Sequence, residues 1–527
     1  ETHRNEDTRC FFCKNKCLRT FIDVKVSGAN DAETKKKSKI PLDEGVKRLI
    51  VGNSCERGLV EDVEEMKVIK KGMDSNRDAF PNMQENAASA VWRSFKPEAV
   101  ADPIAKIAPL PSQKRRRQAQ VKRENFRIGI PRVLNMYSMN PVFSAYFESL
   151  GVKPRNLVYS DFTTEEMYKE GAKRGSIDPC FPSKICIPHV HNLIHTHHKK
   201  KPLDVIFFPM IDCLPTDLVG AQAHRSCPTV ATTPASVKAA FIKEGDLFAE
   251  MGIEFLDTFV NFTEPLLFER QMFEQFKDLL GLSKEENSRA CAEGMKALGV
   301  FYASLRADGR QILDVLEAEE RIGVVLLGRP YHNDPGVCHE ILAEFQTLGY
   351  PVLTQDSLPT DDDTLEQLFG DDVRRGVISH PMDVSDAWKN SYSENTTRKV
   401  WAAKFAARHP NLVALELSSF KCGHDAPIYT VVEEVVQDSG TPYFCFKDID
   451  ENKPTGSIKI RIETIHYFLT RYREDMVRKG EKRVELETEL RDYEEDLRRQ
   501  FAAPLQIADV VPSPVDDVVE EDVAIGV

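Results

Sequence analysis

The chain has 527 residues, 41% of them hydrophobic and 29% charged, enough for two to four domains at about 100–200 residues each. Seventy Lys and Arg against 83 Asp and Glu leave a net charge of −13, which argues against a dominant basic surface for nucleic acid or anionic membrane. No apolar run approaches the roughly 18 residues of a membrane span, the longest being Val205 to Met210 with its neighbours, so the expected location is the cytoplasm. The opening residues Glu1-Thr2-His3-Arg4-Asn5 are neither a Met start nor a signal peptide, and a processed piece or fragment of a longer chain is expected.

Residues 1–60 read as a Cys-rich metal module. Twelve cysteines are too sparse for a disulfide scaffold, yet Cys10, Cys13 and Cys17 form C-x2-C-x3-C, and Cys55 follows in Asn53-Ser54-Cys55-Glu56-Arg57-Gly58. Such spacing points to a metal, either zinc or an iron–sulfur cluster, as the organiser of a segment poor in apolar residues. Residues 61–125 read as linker with some helix, and Lys114-Arg115-Arg116-Arg117 as a solvated charge run.

Two α/β domains with parallel sheets are predicted next, over 126–320 and 321–470. Ile128-Gly129-Ile130-Pro131 reads as a strand and turn, followed by a helix with Val142, Tyr146 and Leu150 on one face and a second strand at Leu157-Val158-Tyr159. The layout recurs with strand Val324-Val325-Leu326-Leu327, turn Gly328-Arg329-Pro330-Tyr331, helical face Ile341, Phe345, Leu348 and strand Val352-Leu353. Pro131 to Gly151 and Pro330 to Gly349 are nearly equal spans, and the pair reads as a duplicated Rossmann-like unit. Within the first unit, Thr163-x-x-Glu166 reads as a capping box, Asp204 to Pro209 as a buried strand, and Thr233-Pro234 as a helix start. A helical insertion follows over 263–320, with a capping box at Ser283-x-x-Glu286. The second unit continues as helix 398–409, strand 412–415, helix 428–438 and a strand near Tyr443. From 471 to 500, 19 of 30 residues are charged while Leu486, Leu490, Tyr493 and Leu497 recur at heptad-like spacing. That is an amphipathic helix, packed on the body or available for oligomerisation, with an acidic, disordered tail beyond it.

Phosphate-loop signatures are absent: there is no G-x-x-x-x-G-K-[ST], and no G-x-G-x-x-G after any strand. The chemistry-bearing residues are instead cysteines on loops. Cys180 lies in Gly175-Ser176-Ile177-Asp178-Pro179-Cys180, Cys213 follows strand 204–209, Cys227 precedes an expected strand, and Cys422 lies in Phe420-Lys421-Cys422-Gly423-His424-Asp425. Thiolates on such loops can converge across a cleft, and soft sulfur donors suit an Fe–S cluster or zinc. Cys186, Cys291, Cys338 and Cys445 fall inside predicted elements and read as packing. His189, His191, His195, His197 and His198 crowd one helix; with no third ligand adjacent, they read as a solvated basic helix end.

These stretches, with Gly129 to Tyr137 and Gly328-Arg329-Pro330-Tyr331-His332, resemble the C-terminal part of the large acyl-CoA dehydratase activase-like proteins, in the 2-hydroxyacyl-CoA dehydratase-related family. The resemblance implies Rossmann-like domains holding a [4Fe-4S] cluster, with Cys180, Cys227 and Cys422 as the ligands carried over by motif. Cys213 sits where those relatives place a ligand, so either its replacing Cys227 or a larger, double-cubane cluster stays open. The implied function is an iron–sulfur electron-transfer or reductase component that receives low-potential electrons from an ATP-hydrolysing activator, separate or upstream in the same polypeptide. A 2-hydroxyacyl-CoA dehydratase forming a ketyl radical at an open cluster iron and a zinc-stabilised scaffold are the rivals, and no substrate is identified.

Overall fold

The computed structural model describes residues 1–11, 18–25, 40, 46–51, 60–61, 63–107, 110–174, 180–419, 421–450 and 455–501. Cys13, Cys17 and Cys55, the motif residues 175–179 and Phe420, and the acidic tail all lie outside the described residues.

At the N-terminus, strands β1 (Thr2–His3), β2 (Thr20–Lys25) and β3 (Val46–Val51) form an antiparallel sheet with β2 in the middle. The Arg48 guanidinium forks onto Asp23 at 2.7 and 2.6 Å across the β2–β3 pair and also lies 4.8 Å from the centre of the buried Phe21 ring.

Six further strands belong to the first α/β unit: β4 (Ile128–Ile130), β5 (Leu157–Tyr159), β6 (Val205–Phe207), β7 (Met210–Cys213), β8 (Glu254–Leu256) and β9 (Phe259–Asn261). Four of them make a parallel sheet in the order β5-β4-β6-β8. Strands β7 and β9 form a separate parallel pair that continues β6 and β8. Pro209 explains the break: without an N–H it cannot hold the ladder, and Phe208 N and Met210 N on either side reach Leu256 O and Thr258 O at 2.9 and 2.8 Å.

The second unit has β10 (Gly323–Leu327), β11 (Val352–Thr354), β12 (Leu412–Leu417) and β13 (Tyr443–Phe446), all parallel, in the order β11-β10-β12-β13. Counting only the strands of each four-stranded sheet, both sheets run second, first, third, fourth. The predicted class of two duplicated, Rossmann-like parallel layers is therefore what the chain forms. Strands β10 and β12 are buried at every position, as expected of a parallel sheet covered on both faces.

A 35-residue helix, Lys284–Ala318, runs past both sheets. Its start is the predicted capping box, in which Ser283 Oγ accepts from Glu286 N. Two glycines let backbone come close: a Cβ on Gly294 would stand 2.6 Å from Val142 O, and one on Gly309 would stand 1.7 Å from Ser357 O. The stretch read as linker contains helices Val63–Ala79, Met83–Ala90 and Pro111–Lys122; Met83, Ala87, Ala88 and Trp92 are buried, and Pro81 O accepts from Val352 N at the end of the second sheet.

Several local expectations shift. The helix expected at Thr233-Pro234 starts at Pro228 and runs to Ile242, so Cys227 precedes a helix rather than a strand; Pro228 occupies the first turn, where its missing N–H costs nothing. The cap expected at Thr163 falls on Thr164, whose hydroxyl accepts from Met167 N. Cys186, Cys291 and Cys338 are buried as expected, but Cys445 is exposed, because β13 is an edge strand. Among the histidines, His189 is fully buried instead of solvated.

The segment Thr470–Val527 forms a unit of its own. Within it the helix Thr455–Phe501 continues, and Leu486, Leu490 and Tyr493 are exposed. No helix among the described residues is long and apolar enough to cross a membrane.

Candidate functional site

In an open parallel sheet, the crevice for a ligand lies beyond the carboxyl ends of the strands, where the strand order reverses. In the second unit that point lies between β10 and β12. The loop after β10 supplies Arg329, Tyr331 and His332, and the loop after β12 supplies Ser418, Ser419, Lys421, Cys422, Gly423 and Asp425. Facing them, the first unit contributes Cys180 and Pro182 from one helix start and Cys227, Thr229 and Val230 from another. These residues enclose a cavity of about 50 Å³.

Cys180, Cys227 and Cys422, the three candidates carried over by motif, thus line one space, and each is half-buried. Each is fixed by its own local chemistry. Cys180 is the residue before the short helix Phe181–Lys184, its carbonyl accepting from Ser183 N and Lys184 N, and its thiol lies 3.4 Å from Ser183 Oγ. Cys227 precedes the 15-residue helix Pro228–Ile242, whose N-terminus favours negative charge. The strap leading to it is pinned to both units: Asn135 Nδ2 donates to Ser226 Oγ at 2.9 Å, Arg225 N to Tyr392 O, and Glu394 N to Arg225 O. Cys422 sits in a turn in which its N–H donates to Ser419 O and its carbonyl accepts from Ala426 N at 3.1 Å.

Burial pushes the Cys180 and Cys422 thiols up. The neighbouring Cys227 adds to this at Cys180 and Asp425 at Cys422, while Arg329 opposes it at both. Among the described residues, no group of three His, Cys, Asp or Glu side chains is set to hold a single metal ion. The three thiols surround a space instead of converging on one point.

Behind the thiols lies a buried charge network that the sequence reading did not identify. Arg329 Nη2 donates to Asp425 Oδ1 at 2.6 Å and to Thr396 Oγ1 at 3.4 Å. Lys399 Nζ lies 3.0 Å from both Asp425 Oδ2 and Glu416 Oε1, and Ser418 Oγ donates to Asp425 Oδ2. All four charged side chains are at most 2% exposed. Asp425 is held far below the usual carboxylate range: burial alone would raise it, but Arg329 and Lys399 outweigh burial. Two nitrogens of the Arg329 guanidinium, Nε and Nη1, have no hydrogen-bond partner among the described residues. His332 is kept neutral, its pKa pushed down to about 3 by burial and by the Lys399 cation, and its Nδ1 accepts from Arg329 N. The available signal for this network was an Arg separated only by Gly328 from a fully buried strand, in Gly328-Arg329-Pro330; its ion-pair partner Asp425 is 96 positions away, and Lys399, on the other oxygen of that carboxylate, is 70 away.

The other candidates lie elsewhere. Cys213 ends β7, is buried, sits 3.4 Å from Asp212 Oδ2 and does not line the cavity. Cys10 is buried, and its three predicted partners lie outside the described residues. His191, in the helix Cys186–Asn192, and His195, on the π-helical turn Leu193–His198 that continues it, bring their rings to 4.0 Å without a third ligand among the described residues. A roomier cleft of about 710 Å³ runs along the long helix, lined by Asp217, Arg306, Arg310 and Arg398. There the arginines are engaged by Asp217, Asp361, Asp314 and Glu394.

Fold and site together define a duplicated Rossmann-like protein with three cysteine thiols and a buried guanidinium at a topological switch point. Residues 127–358 match a family model described as the CoA enzyme activase uncharacterised domain. The match takes in the whole first sheet with β10 and β11, and therefore Cys180, Cys227 and Arg329; Cys422 lies beyond it. No curated protein matches the chain.

Proposed function

We propose that this chain is an iron–sulfur electron-transfer or reductase component, loaded with electrons by an ATP-hydrolysing activator that is separate or linked in the same polypeptide. The observation that supports this reading is the shared cavity of Cys180, Cys227 and Cys422. The donor set fits the group: three soft thiols suit an Fe–S cluster, and a buried cation with unfilled N–H groups suits its negative charge. When bound, such a cluster supplies one-electron transfer at low potential. The protein's own part is to hold it from three separate loops, to screen it with Pro182, Val230 and Tyr331, and to present fixed positive charge beside it. A second metal site at Cys10, Cys13, Cys17 and Cys55, zinc or iron–sulfur, belongs to the same proposal.

The activator is proposed because the chain carries no phosphate-binding loop. The test is anaerobic purification of the chain, with iron, zinc and sulfide analysis, a visible spectrum and EPR after reduction. Brown protein with stoichiometric iron and sulfide is expected, because zinc sites are d10 and colourless. Protein without iron and sulfide would sink the reading. Cluster reduction that requires ATP in the isolated chain would overturn the division of labour with an activator.

A further inference from the structure

Arg329 is anchored well beyond what anchoring needs. One nitrogen, Nη2, already satisfies Asp425 and Thr396, yet Nε and Nη1 are buried without an acceptor among the described residues. A buried N–H left unpaired carries an uncompensated desolvation cost, and a guanidinium cannot relieve that by losing its proton. The side chain is 2% exposed and lines the same cavity as the three thiols. Around it the formal charges balance, with Arg329 and Lys399 against Asp425 and Glu416. Of these four, Arg329 is the cation that lines the cavity, whereas Lys399 and Glu416 lie behind its wall.

We propose that Arg329 is the fixed hydrogen-bond donor and counter-cation of the group held by Cys180, Cys227 and Cys422, and that it sets that group's reduction potential. This rests on the iron–sulfur reading of the site. Cluster potentials are tuned by net charge, hydrogen bonds to sulfur and solvent exposure, and a buried Arg with two nitrogens unpartnered among the described residues acts through the first two. On reduction an external donor loses one electron and the cluster gains it. Arg329 keeps its proton throughout, so the added negative charge is met by an unchanged cation and the reduced form is favoured. Arg329 is a positioning residue in this role, because the electron does not pass through it.

The experiment is an EPR-monitored redox titration of the full, anaerobically purified chain and of Arg329→Gln and Arg329→Lys, with iron and sulfide measured in each. Arg329→Gln removes the charge and should shift the reduction equilibrium toward the oxidised form at least tenfold, about 59 mV lower for one electron. Arg329→Lys keeps the charge but not the guanidinium donors and should shift it less, in the same direction. A cluster retained in Arg329→Gln with a reduction equilibrium within threefold of wild type overturns the role of Arg329 while leaving the cluster reading intact. Should Arg329→Gln fail to assemble, an unchanged potential in Arg329→Lys overturns it equally. Absence of iron and sulfide from the wild-type chain overturns the underlying reading, and this inference with it.

Discussion

The Tyr137 hydroxyl donates to Asp334 Oδ2 at 2.6 Å, joining the helix after β4 in the first unit to the loop after β10 in the second. The same carboxylate takes Thr163 Oγ1 at 2.8 Å, while its other oxygen accepts from Gly336 N at 2.8 Å. The loop can come this close only because residue 336 is glycine: a Cβ there would stand 2.2 Å from Thr163 O. Tyr137 and Asp334 are both buried, so their hydrogen bond works in a low dielectric and ties the two halves of the site together.

Tyr137→Phe should therefore lower stability by about 1.5–3 kcal/mol, the range for a hydrogen bond to a charged group. Asp334→Ala should cost more than Tyr137→Phe, since it leaves the Tyr137 and Thr163 hydroxyls and Gly336 N without their acceptor. Urea unfolding of the full chain, read by circular dichroism, measures both. Equal effects would mean that Asp334 draws nothing from its other donors.

The same contact explains where sequence reading stopped short. Thr163 and Thr164 are equally good caps by type, and Thr163-x-x-Glu166 even matches the capping pattern. The helix nonetheless uses Thr164, because the Thr163 hydroxyl is committed to Asp334, 171 positions away. Periodicity was enough for β4, β10, β12 and the long helix, whose burial is continuous or regular along the chain. It was also enough to mark Cys180, Cys227 and Cys422 as loop cysteines. Their shared cavity, the exclusion of Cys213 and the Arg329–Asp425–Lys399 network depend on packing between elements, which local pattern does not encode.

A second buried pair holds the start of the long helix. Arg123 forks onto Glu286 at 2.6 and 3.0 Å, with side chains 3% and 0% exposed, and also donates to the Leu280, Gly281 and Leu150 carbonyls. Glu286→Ala should cost about 3–5 kcal/mol, because it strands a buried guanidinium. Replacing both residues by Met and Leu should cost less than the single change, since no charge is then left unpaired. A double-mutant comparison of urea midpoints checks this; a larger loss in the double variant would contradict it.

Acid should weaken the fold in part through His189. Ser160 Oγ lies 2.7 Å from His189 Nδ1 and already accepts from Arg132 N. Thr163 Oγ1 lies 3.0 Å from Nε2 and gives its one proton to Asp334. The chain is satisfied with Ser160 donating to Nδ1 and neutral His189 donating from Nε2; a second ring proton would displace the Ser160 hydroxyl proton from Nδ1. Burial, opposed by Asp334, accordingly pushes His189 down to about 4, against about 6.5 in an unfolded chain. Between those values the unfolded state binds the extra proton. The contribution of His189 is therefore complete above about pH 6.5 and is lost as the pH drops toward 4, by up to about 1.4 kcal/mol per pH unit for this one group. His332, His409 and His191, also shifted down by burial, add in the same direction. Urea midpoints from pH 7 to 4.5 should decline, and His189→Gln should flatten the decline whatever its effect at pH 7. An identical slope in that variant would assign the acid sensitivity elsewhere.

The cysteines divide by position, and iron content should divide with them. Cys180→Ser, Cys227→Ser and Cys422→Ser each remove a thiol from the cavity wall and should each lower bound iron and sulfide in anaerobically purified protein. Cys291→Ser should not, because Cys291 is buried in the long helix, 3.8 Å from Asn287 Nδ2. Cys213→Ser is the discriminating case. Its thiol lies at the end of β7 beside Asp212, outside the cavity lining, so iron should stay at the wild-type level. A loss at Cys213 equal to that at Cys227 would instead require the strap between β7 and the helix Pro228–Ile242 to rearrange on loading. Stability should fall only modestly in all five variants, since both parallel sheets bury their strands independently of these thiols. Full iron retention after the triple change at 180, 227 and 422 would remove the cavity from consideration as the cluster site.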